Sequence, residues 1–377
     1  MKILKKPLEI ESFLALLKKR ASGGAGNIEP TVRKILADVK TQGDRSVRKY
    51  TEQFDSLKRK NLRISPAELR KHAARVDKKI VSSLKVSAKR IRAFHEMQRE
   101  ESWTLSEDGT LLGQIIRPLE RIGVYVPGGK ASYPSSVLMN VIPAQVAGVK
   151  EIALCVPTPG NEVNPAVMSA IEMLGVTEVY RIGGAQAIGA MAYGTETIRR
   201  VDKIVGPGNI YVATAKKLVF GEVDIDMIAG PSEVLILADM RANPVFIAAD
   251  LLSQAEHDEL ASSLLITDSA TLAEAVRQEL KVQLEHLTRR SIAGRSLGNC
   301  GAIIVTKHMK EAVRLANEIA PEHLEVLTEN PFDLLPEIRN AGAIFLGPWT
   351  PEPLGDYAAG PNHTLPTGGT ARFFSPL

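Results

Sequence analysis

From residue 122 onward the chain repeats one unit: a short apolar run, a turn rich in Gly or Pro, then a helix. The runs 122–126, 152–156, 179–182 and 203–205 are mostly apolar and do not alternate, with Arg181 and Lys203 as the charged exceptions. Strands buried on both faces read this way. Helix signals fill the gaps, as at 134–147 and 165–174. Strands that alternate with helices must lie parallel, joined by right-handed crossovers and covered by helices. The turns are Pro127-Gly128-Gly129, Pro157-Thr158-Pro159-Gly160, Gly183-Gly184-Ala185-Gln186 and Gly206-Pro207-Gly208-Asn209. They fall at the carboxyl edge, where such sheets bind ligands.

Ala229-Gly230-Pro231-Ser232 closes this run and opens a second, with strands at 234–238, 263–267, 302–306, 324–327 and 343–346. Asn243-Pro244 caps the helix after the first of these. Ahead of both runs, 30–100 reads as helical, with Ile80, Leu84, Ala88 and Ile91 at helical spacing. Ser65-Pro66-Ala67-Glu68 opens one of these helices as a capping box. Residues 1–20 read as a helical arm, and Ser22-Gly23-Gly24-Ala25-Gly26 as a flexible break. From Trp349 the chain is irregular. The expected fold class is α/β: two incomplete Rossmann-like parallel-sheet domains plus an N-terminal helical region.

Composition excludes several classes. No apolar run reaches the roughly 18 residues of a membrane helix, and no secretory signal follows Met1, so a cytoplasmic protein is expected. Cys155 and Cys300 are too few for a disulfide framework and read as buried thiols in strands. The net charge of +4 is uneven. Residues 1–105 hold 26 Lys+Arg against 12 Asp+Glu, or +14, which leaves −10 for the rest. Without interleaved aromatics, the basic part reads as a solvated helical surface and no nucleic-acid partner is expected.

Polar groups gather at five places. Gln254 and His257 lie three apart at a helix end, so both can reach one ion, or both can be a polar helix end in water. Such a pair would lie away from the carboxyl edge. Glu322-His323 follows Pro321 and suits two bases in a two-step reaction, or a helix C-terminus with a dipole-complementing His. Ser232 precedes a strand. Asp356 and His363 sit in turn dipeptides of the irregular tail, where functional and turn-forming roles both fit. The glycine turns lack a complete Gly-x-Gly-x-x-Gly, since Gly206-Pro207-Gly208-Asn209 has only its first spacing. A dinucleotide over them and plain tight turns both remain open.

Taken in order, these segments resemble the histidinol dehydrogenase family, from about Leu8 to Leu377. The matches are Val124-Tyr125-Val126-Pro127-Gly128-Gly129, Gly183-Gly184-Ala185-Gln186-Ala187-Ile188, Gly206-Pro207-Gly208-Asn209, Ala229-Gly230-Pro231-Ser232-Glu233, Leu252-Ser253-Gln254-Ala255-Glu256-His257-Asp258, Ala320-Pro321-Glu322-His323-Leu324 and Gly360-Pro361-Asn362-His363-Thr364. The resemblance implies oxidation of L-histidinol to L-histidine through L-histidinal, the last step of histidine biosynthesis, with two NAD reduced. It implies Gln254, His257 and Asp356 as ligands of Zn2+, and Glu322 and His323 as the acid/base pair. Ser232, Gln254, His257, His323, Asp356 and His363 are the implied substrate contacts. Tyr125, Gln186 and Asn209 are the implied NAD contacts. A homodimer is expected. Residues 121–232 are expected to form the NAD domain, and 21–120 with 233–377 the second α/β domain. The family's C-terminal dimer-swapped domain, with a substrate-binding Glu and a further zinc-ligating His, has no counterpart before Leu377. That leaves a weakened or inactive paralogue, or a dehydrogenase of another polar alcohol, as the alternative.

Overall fold

The buried apolar runs do form parallel sheets. The computed structural model describes residues 1–23, 28–128, 133–228 and 230–377. Gly24, Ala25 and Gly26 of the expected break lie outside these residues, as do Gly129 and Ala229; Ser22 and Gly23 belong to a helix.

In chain order the front part contains β1 (Lys2–Leu4), α1 (Pro7–Gly23), α2 (Glu29–Gln42), α3 (Asp44–Asp55), β2 (Arg63–Ile64), α4 (Pro66–Ala73) and α5 (Lys78–Glu96). A hairpin follows, β3 (Trp103–Glu107) and β4 (Thr110–Gln114). The first α/β run is β5 (Arg121–Tyr125), α6 (Pro134–Val146), β6 (Glu151–Cys155), α7 (Pro165–Met173), β7 (Glu178–Tyr180), α8 (Gly184–Tyr193), β8 (Lys203–Val205), α9 (Ile210–Val219) and β9 (Asp224–Ile225). The second is β10 (Glu233–Ala238), α10 (Pro244–Ala255), β11 (Ser262–Thr267), α11 (Ala270–His286), α12 (Arg290–Cys300), β12 (Ala302–Val305), α13 (Met309–Ile319), β13 (His323–Leu327) and β14 (Ala343–Leu346).

Two sheets of six strands result, ordered β2-β7-β6-β5-β8-β9 and β1-β12-β11-β10-β13-β14. Every pairing in them is parallel except β2 with β7. The first sheet starts at its centre with β5 and winds outward both ways, so its switch point lies between β5 and β8.

The chain divides into two compact units. One holds the first sheet, running from α2 to Asp226 and including Tyr357–Thr364 and Leu377. The other holds β1, α1, Met227–Asp356 and Leu365–Pro376. This corrects the expected domains. The front helices 29–96 belong with the first sheet rather than the second. Val32, Ile35, Leu36 and Val39 of α2 join one core with Ile188, Met191 and Val219, and Leu84 and Ile91 of α5 join another with Leu138 and Ile142. Residues 1–20 are no bare arm either, because β1 extends the second sheet beside β12.

The N-caps held, although the Glu68 side chain pairs with Arg181 instead of closing a capping box. Ser65 Oγ accepts from the Glu68 N–H at 3.2 Å, and the Asn243 side chain accepts from the Val245 N–H at 2.9 Å. Each such cap is worth about 1 kcal/mol. Both cysteines are buried, but Cys300 ends α12 instead of lying in a strand. Among the described residues no helix is long and apolar enough to cross a membrane.

Candidate active site

The second sheet carries most of the candidates, at its amino edge. Helix α13 stops at Ala320, which caps it in the left-handed region (φ 51, ψ 63) and returns its N–H to the Ala316 carbonyl. Pro321 prevents continuation. This sharp stop places Glu322 and His323 at the start of β13, with His323 in register with Val234 of β10. Ser232 precedes β10, and α10 returns to the same edge before delivering Gln254 and His257. The reading that this pair lies away from the carboxyl edge therefore holds.

Glu322 and His323 are both buried, and the backbone of one residue, Glu233, contacts both. The Glu233 N–H donates to Glu322 Oε2 at 2.8 Å, and the Glu233 carbonyl lies 3.0 Å from His323 Nδ1. A carbonyl only accepts, so Nδ1 carries hydrogen and Nε2 is the nitrogen left for chemistry. Nε2 lies 3.5 Å from Asp356 Oδ1. Burial pushes the Glu322 carboxyl up to about 8, against the pull of His323. Burial also opposes a charged His323 ring, but Glu322 and Asp356 outweigh it and raise the imidazole to about 10.

Asp356 lies in a π-helical turn, Gly355–Ala359. A side chain at Gly355 would meet the Phe345 ring, so only glycine lets this turn pack so closely. Just before it, Glu352 is buried and donates its N–H to Glu325 Oε1 at 2.8 Å. Burial and the neighbouring Asp356 raise Glu352 to about 8. Glu325 is fully buried and is raised by burial and by Asp250, which burial itself pushes up to about 6. Sequence reasoning missed Glu352, Glu325 and Asp250. A Glu inside the apolar run His-Leu-Glu-Val-Leu was the available signal.

Among the described residues one set of possible cation donors converges. His323, Glu352 and Asp356 each offer an atom within 4.8 Å of the others. The expected set shares only Asp356 with these. In that set Gln254 is buried, and neither of its amide atoms meets a hydrogen-bond partner among the described residues. Such a group is costly unless something binds it. Helix α10 ends at Ala255, and His257 follows in a tightened turn with its N–H on the Gln254 carbonyl at 3.2 Å. Burial holds the His257 imidazole below its ordinary value, as a neutral metal ligand requires. His257 and Asp356 are of the donor types zinc takes, and the orphaned Gln254 amide oxygen could add a further oxygen donor.

The first unit carries the remaining candidates. Tyr125 ends β5, and its hydroxyl accepts from the Gly184 N–H at 3.2 Å. Gln186 is buried on α8, and both its amide atoms lack partners among the described residues. These groups line the carboxyl edge and fit a polar cofactor. Asn209 is exposed and caps α9, its Oδ1 accepting from the Tyr211 and Val212 N–H groups at 3.0 and 3.2 Å. His363 lies in this unit, not with Asp356, and its ring sits 6.4 Å from that of Tyr357.

The histidinol dehydrogenase family model matches residues 18–377. The chain belongs to the histidinol dehydrogenase family. The histidinol dehydrogenase of Geobacter metallireducens is 56% identical over 369 residues, covering 97% of this chain and 84% of its own length. That of Wolinella succinogenes is 56% identical over 361 residues, covering 93% and 84%. A solved histidinol dehydrogenase from Elizabethkingia anophelis superposes with a TM-score of 0.94 at 39% identity, over 100% of this chain and 87% of that one. As a histidinol dehydrogenase the chain is an enzyme of the oxidoreductase class, and the Glu322-His323 edge is its candidate catalytic centre.

Proposed function

We propose that this chain oxidises L-histidinol to L-histidine through L-histidinal, reducing two NAD. The observation that carries the reading is the Glu322-His323 pair, buried and clamped by the Glu233 peptide in a chain of this family. His323 Nε2 takes the hydroxyl proton in the oxidation of the alcohol. Glu322 takes a proton from the water that adds to the aldehyde, giving the hydrate that is oxidised next. Positioned bases of this kind contribute roughly 10² to 10⁴ in rate each. Gln254, His257 and Asp356 would hold zinc, which would supply a Lewis acid to anchor the substrate. Ser232 and His363 are further substrate contacts. Tyr125, Gln186 and Asn209 would hold NAD, whose nicotinamide would supply the hydride acceptor. We place the enzyme in the cytoplasm as a homodimer. The test is NADH formation from a panel of polar alcohols with zinc present. L-Histidinol is expected to be the preferred substrate, and a preference for another alcohol would sink the assignment.

A further inference from the structure

The cofactor turns contain an acid that the proposed site does not use. In Rossmann sheets that bind NAD, a carboxylate at the end of the second strand accepts from the ribose hydroxyls, and its charge repels the 2′-phosphate of NADP. Here that strand is β6, and it ends in Val156-Pro157-Thr158-Pro159-Gly160, without an acid. Asp55, the last residue of α3, comes to the same place from outside the sheet. A Cβ built on Gly183 would lie 3.3 Å from Asp55 Oδ2 and 2.7 Å from Pro157 Cβ. A Cβ on Gly128 would likewise meet Pro157. The turns after β5, β6 and β7 therefore meet around Pro157, with Asp55 against them.

Two further features mark this edge as built for a ligand. Asp55 Oδ2 is buried without a hydrogen-bond partner among the described residues. Gln186, on the adjoining turn, is buried with both amide atoms unpartnered, and its Oε1 would lie 2.8 Å from a Cβ on Gly184. Burial raises the Asp55 carboxyl above its ordinary value, and the Gly183 N–H opposes that shift only in part. The nearby Arg181 guanidinium is engaged by Glu68.

We infer that Asp55 is the cofactor-selecting residue, accepting from the adenosine ribose hydroxyls of NAD and excluding NADP. This rests on the NAD reading of the first sheet. Atoms of the reaction are untouched, so Asp55 sets binding and not chemistry.

The test is the ratio of dissociation constants for NADH and NADPH, read by cofactor fluorescence on the whole chain, for the unaltered protein, Asp55→Asn and Asp55→Ser. Both variants should bind NADH more weakly and NADPH less poorly, so the selectivity for NADH falls by about tenfold or more, the scale of one charge-assisted hydrogen bond. A purely structural Asp55 would weaken both cofactors together. An unchanged ratio in whichever variant folds overturns the inference. Failure of the unaltered protein to bind NADH at all overturns the cofactor reading itself, a result the ratio cannot mimic.

Discussion

At the scale of single residues, the Glu233 peptide decides what His323 can do. By taking the Nδ1 hydrogen it leaves Nε2 as the nitrogen that the proposed reaction would use, as an orienting carbonyl or carboxylate does for catalytic histidines. In the proposed roles both groups must lose a proton to work, and both are raised, Glu322 to about 8 and His323 to about 10. The rate should therefore climb from neutral toward alkaline pH. A dication beside Asp356 disfavours the protonated ring and moves that climb to lower pH. A kcat profile that falls between neutral and mildly alkaline pH would contradict these roles. Gln254 gives a second prediction. Its orphaned amide is costly while unbound, so Gln254→Leu should lose most bound zinc, measured by elemental analysis, while the melting temperature of the metal-free protein holds or rises. Of these residues the sequence signalled Gln254, His257 and Glu322-His323 by spacing and context. It left each with a structural alternative, since a polar helix end has the same pattern as a ligand pair.

At the scale of elements, the Asp250–Glu325 carboxyl pair ties β13 to α10, and Glu325 Oε1 anchors the turn that leads to Asp356. Glu325→Gln keeps that acceptor and should cost less than about 1 kcal/mol, whereas Glu325→Leu orphans the Glu352 N–H and should cost about 2–3 kcal/mol by denaturant unfolding. The pair binds more protons folded than unfolded, because both carboxyls are raised. Its contribution to stability is complete below about pH 4, the ordinary carboxylate range, and is lost as pH rises through the Asp250 value of about 6. Glu325→Gln should flatten that loss. The long buried strands were legible because five- or six-residue apolar runs between caps have few other uses. β1, β2 and β9 span two or three residues, too short for any period to show, whereas the equally short β7 and β8 were marked by the glycine turns that follow them. The hairpin β3–β4 is exposed throughout and lacks the half-buried alternation that marks a strand.

At the scale of the molecule, the grouping of segments was the part the sequence hid. Nothing local in α2 or α5 says which sheet they cover, since each shows only an apolar stripe that any core would satisfy. The return of 357–364 to the first-sheet unit was equally hidden. Asn362 shows what fixes it: its buried amide donates to the Met139 carbonyl at 2.7 Å, and its Oδ1 accepts from the Thr364 N–H at 2.7 Å. Asn362→Ala should destabilise the protein by about 2–3 kcal/mol, seen as a lower denaturation midpoint, because it leaves those backbone groups unpaired. The most direct test of the paired-base account is the NADH formed per L-histidinol consumed by the unaltered, zinc-loaded chain. Two NADH, with L-histidine as product, is the predicted result. A single NADH with aldehyde accumulating, or none, would contradict it.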